Sequence, residues 1–446
     1  MAPEFAVEVR QNEHLPAGAG RVEAVVTVTA TGGARAGPAA DAAEVLVLDT
    51  SGSMRSPPEK LAEAVRAAEA ALGVLRDGVR FAVVAGTDTA RVVYPPGPGL
   101  AVAGPRTREA ATRAVRRLRA AGGTAMGRWL LLADALLAGP DAGGPGPGGP
   151  DAAGPGSRAS GAGPRHAILL TDGENRHESP EELAAVLERV AGRFTCDCRG
   201  VGTDWRVAEL RGIAEAMLGT VDIVADPAGL ARDFESMTLA AMGKTVADVS
   251  LRLWTPGHAE VVFLRQVAPA LLDLTGRRRR TGPRTGEYPT GAWAAGESRD
   301  YHLAVRVRPA AVGERMLASR IALVGPGGVV SGPGRVLAVW TDDATLSTRI
   351  PPEVAHYTGQ AELAEAIREG LRARRAGDAA RATARLGRAV RLAHESGNTG
   401  TAKLLAAVVE VRDAASGTVR LRADVAEVDE MTLDTRSTVT KRVGRD

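Results

Sequence analysis

Glu44-Val45-Leu46-Val47-Leu48-Asp49-Thr50-Ser51-Gly52-Ser53 is the stretch that decides how this chain folds. Residues 44–48 carry a short apolar run, the pattern of a parallel strand buried on both faces. A carboxylate ends the run and a turn rich in hydroxyls follows it. The strand therefore delivers hard oxygen donors to its carboxyl end. Downstream, 56–59 (Ser-Pro-Pro-Glu) reads as a capping box with proline at the first helical position. Leu61, Val65, Ala68, Leu72 and Leu75 then recur at helical spacing.

The alternation continues for about 200 residues. Strands are expected at 79–85, 91–94, 166–170, 194–200 and 221–224, and helices at 108–118, 127–137, 207–217 and 228–242. Another helix is expected to open at Ser179-Pro180-Glu181-Glu182 with the same capping chemistry. Strand–helix alternation of this length argues an α/β fold, a doubly wound, mostly parallel and Rossmann-like sheet over 41–243. Residues 139–164 are nearly all Gly, Pro, Ala, Ser and Asp, so a flexible insertion on the rim of that domain is expected.

The flanks read differently. Phe5, Val7 and Val9, then Val22, Ala24, Val26 and Val28, alternate as half-buried strands within 1–30. The same period returns over 245–345, where Tyr301, Leu303, Val305 and Val307 face one way. A two-stranded ribbon is barely stable alone. The N-terminal strands are therefore expected to complete a β-sandwich built from 245–345, with the α/β domain inserted between them. Residues 356–415 are rich in Ala, Arg and Leu and are expected to form a helical hairpin or cap. The end of the chain, 416–446, reads as a polar and disordered tail, its threonines offering phosphorylation as a lesser alternative.

At 446 residues the chain exceeds one ordinary core. Aromatics make up only 3% against 44% hydrophobic residues, so small aliphatics must do the packing. Net charge is +3, too slight and too scattered to argue for a nucleic-acid partner. The arginines at 106–119 and at 277–280 are expected to be a solvated helix face and a polar hairpin tip. The two cysteines, Cys196 and Cys198, cannot build a disulfide framework and are expected as reduced core thiols. With no signal-like pattern at 1–5 and no run of membrane-spanning length, a soluble, cytoplasmic protein with no membrane partner is expected.

Two further segments join the first. They are Gly122-Gly123-Thr124 and Thr171-Asp172-Gly173, the latter following the strand at 166–170. In a doubly wound sheet, ligands bind beyond the carboxyl ends of the strands. Asp49 and Asp172 both end there, and Gly52 permits a turn tight enough to aim Ser51 and Ser53 at one ion. Carboxylates and hydroxyls suit Mg²⁺, or Mn²⁺ or Ca²⁺ in its place, and few anionic ligands leave the ion electrophilic. An incoming carboxylate from a partner protein can then complete its shell.

These three segments, in this order and on these elements, resemble the von Willebrand factor type A family and its metal-ion-dependent adhesion site, over roughly residues 41–243. The resemblance implies that Asp49, Ser51, Ser53 and Thr124 are metal ligands, Ser51 and Ser53 most directly, and that Asp172 holds the ion through water. The arrangement looks like bacterial intracellular members of the family, which usually dock partner proteins. It implies a non-enzymatic adaptor or scaffold. No Gly-x-x-x-x-Gly-Lys-Ser/Thr loop is present, so no ATPase is encoded. Two alternatives stand beside this reading. One is a metal-dependent hydrolase or phosphatase using Asp49, although phosphatases of the haloacid dehalogenase type want an aspartate where Ser51 stands. The other is a scaffold that binds through its sandwich and helices. Glu174, His177 and Glu178 could serve as acid or base, but acids at a helix entry also satisfy the dipole.

Overall fold

In the computed structural model, which describes residues 4–31, 42–139 and 163–442, the run at 44–48 becomes the strand Ala43–Asp49, buried along its whole length. The insertion expected at 139–164 falls almost entirely outside the described residues, as do 1–3, 32–41 and the last four positions. The chain divides into two units.

The first unit spans 34–248 with 291–294. Its sheet has the order Val221–Val224, Thr195–Val201, Arg165–Thr171, Ala43–Asp49, Arg80–Gly86, Ala90–Tyr94, with the first five parallel. Ala90–Tyr94 and the short Ala101–Val102 pair antiparallel with Arg80–Gly86 and end the parallel run. Helices alternate with the strands, giving the α/β architecture. Leu46 and Leu48 join Phe81, Val83, Ile168 and Leu170 on one face, under Ala64, Ala68 and Leu72 of the helix Glu59–Val74. Trp129, from the helix Met126–Ala138, lies so close to Gly86 that a Cβ there would stand 2.4 Å from the indole. That glycine is required by packing.

Register places the chemistry. Leu48 pairs with Leu170 in the parallel ladder, so Asp49 and Thr171-Asp172 emerge at the same edge of the sheet. At the other end, Glu44, His166 and Asp197 lie on three adjacent strands. His166 Nδ1 is 2.8 Å from Glu44 Oε1, and Nε2 is 2.9 Å from Asp197 Oδ2. Burial opposes the imidazolium, but the two carboxylates outweigh it and push the His166 pKa up to about 10. Burial likewise opposes the Asp197 carboxylate, and the bond from His166 still holds it below the ordinary range.

Local expectations fail where neighbouring turns compete. Ser56 does not cap the helix that follows. The 3₁₀ turn Gly52–Arg55 takes its N–H onto Ser53 O, and the helix starts later, at Glu59, with Pro58 before it. Ser179 behaves as expected: its hydroxyl accepts the N–H of Glu182, and Glu182 Oε2 accepts the Ser179 N–H at 2.7 Å. The arginine run lies partly on the helix Pro105–Val115, and three of its members are locally paired, Arg108 with Asp77, Arg113 with Glu109 and Arg116 with Glu69. Cys196 and Cys198 are buried and free.

The second unit comprises 1–33, 249–290 and 295–446. One antiparallel sheet runs Phe5–Gln11, Arg21–Ala30, Ser298–Val307, Ala259–Ala268, Leu272–Asp273, with Val26 opposite Tyr301. A second runs Arg279–Gly282, Thr285–Ala294, Lys244–Trp254, Arg315–Gly325, Gly334–Thr341, His14–Pro16. Arg279 and Arg280 are thus in a short edge strand, not at a hairpin tip.

The C-terminal part of this unit differs from the expected hairpin and tail. Three helices, Pro352–Arg375, Ala379–Glu395 and Thr399–Val408, lead into a β-hairpin, Val409–Asp413 with Thr418–Leu421. The polar tail is also ordered as far as described: Glu427–Arg436 is a helix with Met431, Leu433 and Thr435 buried. Its few apolar residues were masked by polar neighbours, and those neighbours are engaged. Arg374 reaches Glu430 at 2.6 Å and Arg375 reaches Asp434 at 3.1 Å. Among the described residues, no helix is long and apolar enough to cross a membrane.

Two outcomes follow. His166→Leu leaves Glu44 with no cation at 0% exposure and should cost about 3–5 kcal/mol. Because the folded pKa of His166 lies above its unfolded value, its contribution is complete below about pH 6.5 and is lost as pH rises through about 10. Denaturant titrations at pH 7 and pH 10 should therefore show a pH-dependent loss in the wild type that the variant lacks. Leu433→Ala should cost about 2–5 kcal/mol by the same titration, where a disordered tail would give no change.

Candidate metal centre

Loop chemistry at the carboxyl edge of the sheet starts with Asp49. Its carboxylate is fully buried, Oδ1 accepting the Ser51 N–H at 2.7 Å and Oδ2 the Thr171 hydroxyl at 2.5 Å. Burial raises its pKa to about 6. The bonds from Ser51 and Thr171 pull the other way, and the nearby Asp172 charge adds to the rise. Beside it, Ser51 Oγ and Ser53 Oγ are 2.9 Å apart, and Ser53 Oγ donates to Asp172 Oδ1 at 2.6 Å. Thr124 completes the group. A Cβ added to Gly173 would lie 3.2 Å from Ser53 Oγ and 3.7 Å from Thr124 Oγ1, so both hydroxyls flank one spot next to Asp172.

Backbone bonds hold the three loops together. Gly122 O accepts the Gly52 N–H at 2.9 Å, and Thr50 O accepts the Ala121 N–H at 2.8 Å. Gly122 has φ +83°, a conformation that L side chains rarely adopt. Gly123 is needed for space, because a Cβ there would fall 2.1 Å from the His177 ring. That ring accepts the Thr124 N–H at Nδ1, at 3.1 Å, while the Thr124 carbonyl accepts the His177 N–H at 2.9 Å.

Of the candidate acids or bases Glu174, His177 and Glu178, the latter two hold backbone N–H groups at Thr124 and Gly127. Asn175 Oδ1 and Glu178 Oε2 accept the N–H groups of Met126 and Gly127, at the start of the helix Met126–Ala138. Glu174 pairs with Arg176 and Arg206.

Lys60 went unread as a site residue. Its Nζ lies 2.7 Å from Asp172 Oδ2 and 3.0 Å from Asp204 Oδ2, with the side chain 10% exposed. Its only sequence signal is rarity, since lysine occurs at 60, 244, 403 and 441 and all other basic residues are arginine. Thr171 joins the site as well, through its hydroxyl bond to Asp49.

The donor set fits a hard divalent cation. Two carboxylates at 0% exposure stand beside three hydroxyls, all oxygen. Among the described residues, no group of three or more His, Cys, Asp or Glu side chains is arranged to hold a metal, so such a site must draw on these hydroxyls.

Comparison with known proteins follows the same lines. The family model of the von Willebrand factor type A domain matches residues 45–174, and that of the von Willebrand factor type A C-terminal domain matches 391–437. No curated protein matches the chain. A solved von Willebrand factor type A protein from Catenulispora acidiphila is 50% identical, with 99% of this chain and 98% of that one covered and a TM-score of 0.89. A paralog of ArnB from Sulfolobus acidocaldarius shares the fold at 14% identity, covering 98% of each chain with a TM-score of 0.58. On the full-length match at half identity, the chain belongs to the von Willebrand factor type A family, whose domains are generally protein-interaction modules.

Proposed function

We propose that this protein is a non-enzymatic, metal-dependent binding module that grips an acidic residue of a partner protein and acts as an adaptor or scaffold in the cytoplasm. The observation that carries this reading is the convergence of Ser51, Ser53 and Asp172 by direct hydrogen bonds, with Thr124 and Asp49 beside them, from three loops distant in sequence.

Asp49, Ser51, Ser53, Thr124 and Asp172 would hold the ion, with Mg²⁺ preferred for an all-oxygen set and Mn²⁺ or Ca²⁺ able to substitute. The bound ion supplies Lewis acidity toward an outside carboxylate. The protein's own part is to keep the donors assembled, four of them buried and Ser53 exposed. Asp49 is oriented through both oxygens, the Gly52–Gly122 bond holds the first loop to the second, and His177 props Thr124 from its backbone. Two buried, free cysteines accord with a reducing compartment.

The hydrolase reading has less behind it. A nucleophilic Asp49 would need a free oxygen facing substrate, whereas both of its oxygens are engaged and the side chain has no exposure.

Affinity purification in Mg²⁺ and in EDTA tests the reading. The partner should be retained only with Mg²⁺. Asp49→Ala and Thr124→Val, each verified as folded by circular dichroism, should weaken Mg²⁺ binding by about tenfold or more and lose the partner. Equal retention in EDTA would remove the metal from the interface.

A further inference from the structure

We infer that Lys60 is the built-in counter-ion of Asp172, which a divalent cation must push aside toward Asp204 as it binds. This inference rests on the metal reading above.

Three observations carry it. First, Asp172 is fully buried and both of its oxygens are already engaged, Oδ1 by the Ser53 hydroxyl and Oδ2 by the Lys60 ammonium at 2.7 Å. The ammonium therefore occupies one of the oxygens through which the carboxylate would serve a cation. Second, helix stability does not explain a lysine here. Lys60 is the second residue of the helix Glu59–Val74, where the macrodipole disfavours a cation. It is also buried, which costs desolvation unless an anion compensates. Third, a second anion lies within reach. Asp204 Oδ2 is 3.0 Å from Nζ, and its side chain is 70% exposed, so it can keep the ammonium partnered at the solvent edge once Asp172 is taken. A compact ammonium on a flexible stem can make that move, which the planar guanidinium of an arginine makes less readily.

Two consequences follow from like-charge repulsion at close range. Lys60 lowers the affinity of the site for a divalent cation, and it stabilises the site when no cation is bound. Asp204 works the other way, by drawing the ammonium off.

Mg²⁺ titration by calorimetry on the full chain, together with thermal unfolding in EDTA, tests the proposal. Lys60→Met should bind Mg²⁺ about tenfold or more tighter than the wild type. It should also unfold at lower temperature in EDTA and recover more on adding Mg²⁺. Lys60→Arg keeps the charge but yields less readily, so it should bind Mg²⁺ no tighter than the wild type, while Asp204→Asn should bind Mg²⁺ more weakly. The proposal is overturned if Lys60→Met binds no tighter, if Lys60→Arg behaves like Lys60→Met, or if Asp204→Asn leaves affinity unchanged. Equal binding by wild type and Lys60→Met sinks the role of Lys60 and leaves the metal reading intact. Binding by neither sinks both.

Discussion

Two carboxylates without solvent exposure, Asp49 and Asp172, stand at the same edge of a parallel sheet, and most of the surrounding structure answers to that constraint. Buried anions close together are tolerable only when hydrogen-bonded and offset by positive charge. The protein supplies the first through Ser51, Ser53 and Thr171, and the second in part through Lys60. What remains is an excess of negative charge in a ring of oxygens. An all-oxygen set of this charge is the chemistry that suits a hard divalent ion, and the glycines at 122 and 123 let the loops come close enough to build it.

A similar bargain is struck at the opposite end of the same strands, with the opposite purpose. Glu44, His166 and Asp197 also bury charge, but there the cation is a protein side chain and the bonds close on themselves. At that end two carboxylates share one imidazolium tied across three strands. At the other, buried Asp172 shares the Lys60 ammonium with the exposed Asp204. The ladder Ala43–Asp49 with Arg165–Thr171 joins the two, and its register sets where Asp49 and Asp172 emerge.

The remaining unit follows from a different requirement. Strands before and after the α/β segment pair with one another, as Val26 does with Tyr301, because neither set has enough neighbours alone. Helices from Pro352 onward attach to that sheet through buried polar contacts as well as packing. Tyr357 donates to Asp300 at 2.5 Å, and Arg442 reaches the same carboxylate through two nitrogens. The family match over 391–437 takes in 416–437 of the tail whose polar composition suggests disorder.

Periodicity and turn chemistry determined a good deal unaided. The apolar run before Asp49, the strand before Asp172 and the alternation across 41–243 implied a parallel sheet with hard oxygen donors at its carboxyl edge, since a buried parallel strand and a helix each print their own period on the chain. Residue type alone also separated hydroxyl-rich loops from thiol or imidazole sites. Only the tertiary structure decided the rest. The helix Glu427–Arg436 has no legible period, because only Met431 and Leu433 among its four buried residues are apolar. Ser56 lost its cap to the 3₁₀ turn beside it, a competition between neighbours that a local motif does not record. Lys60 meets Asp172 and Asp204 across separations of 112 and 144 residues; such meetings are set by strand register and helix placement. A charge on a helix looks the same in sequence whether it faces water or a buried carboxylate. The difference is the whole of its energetic meaning.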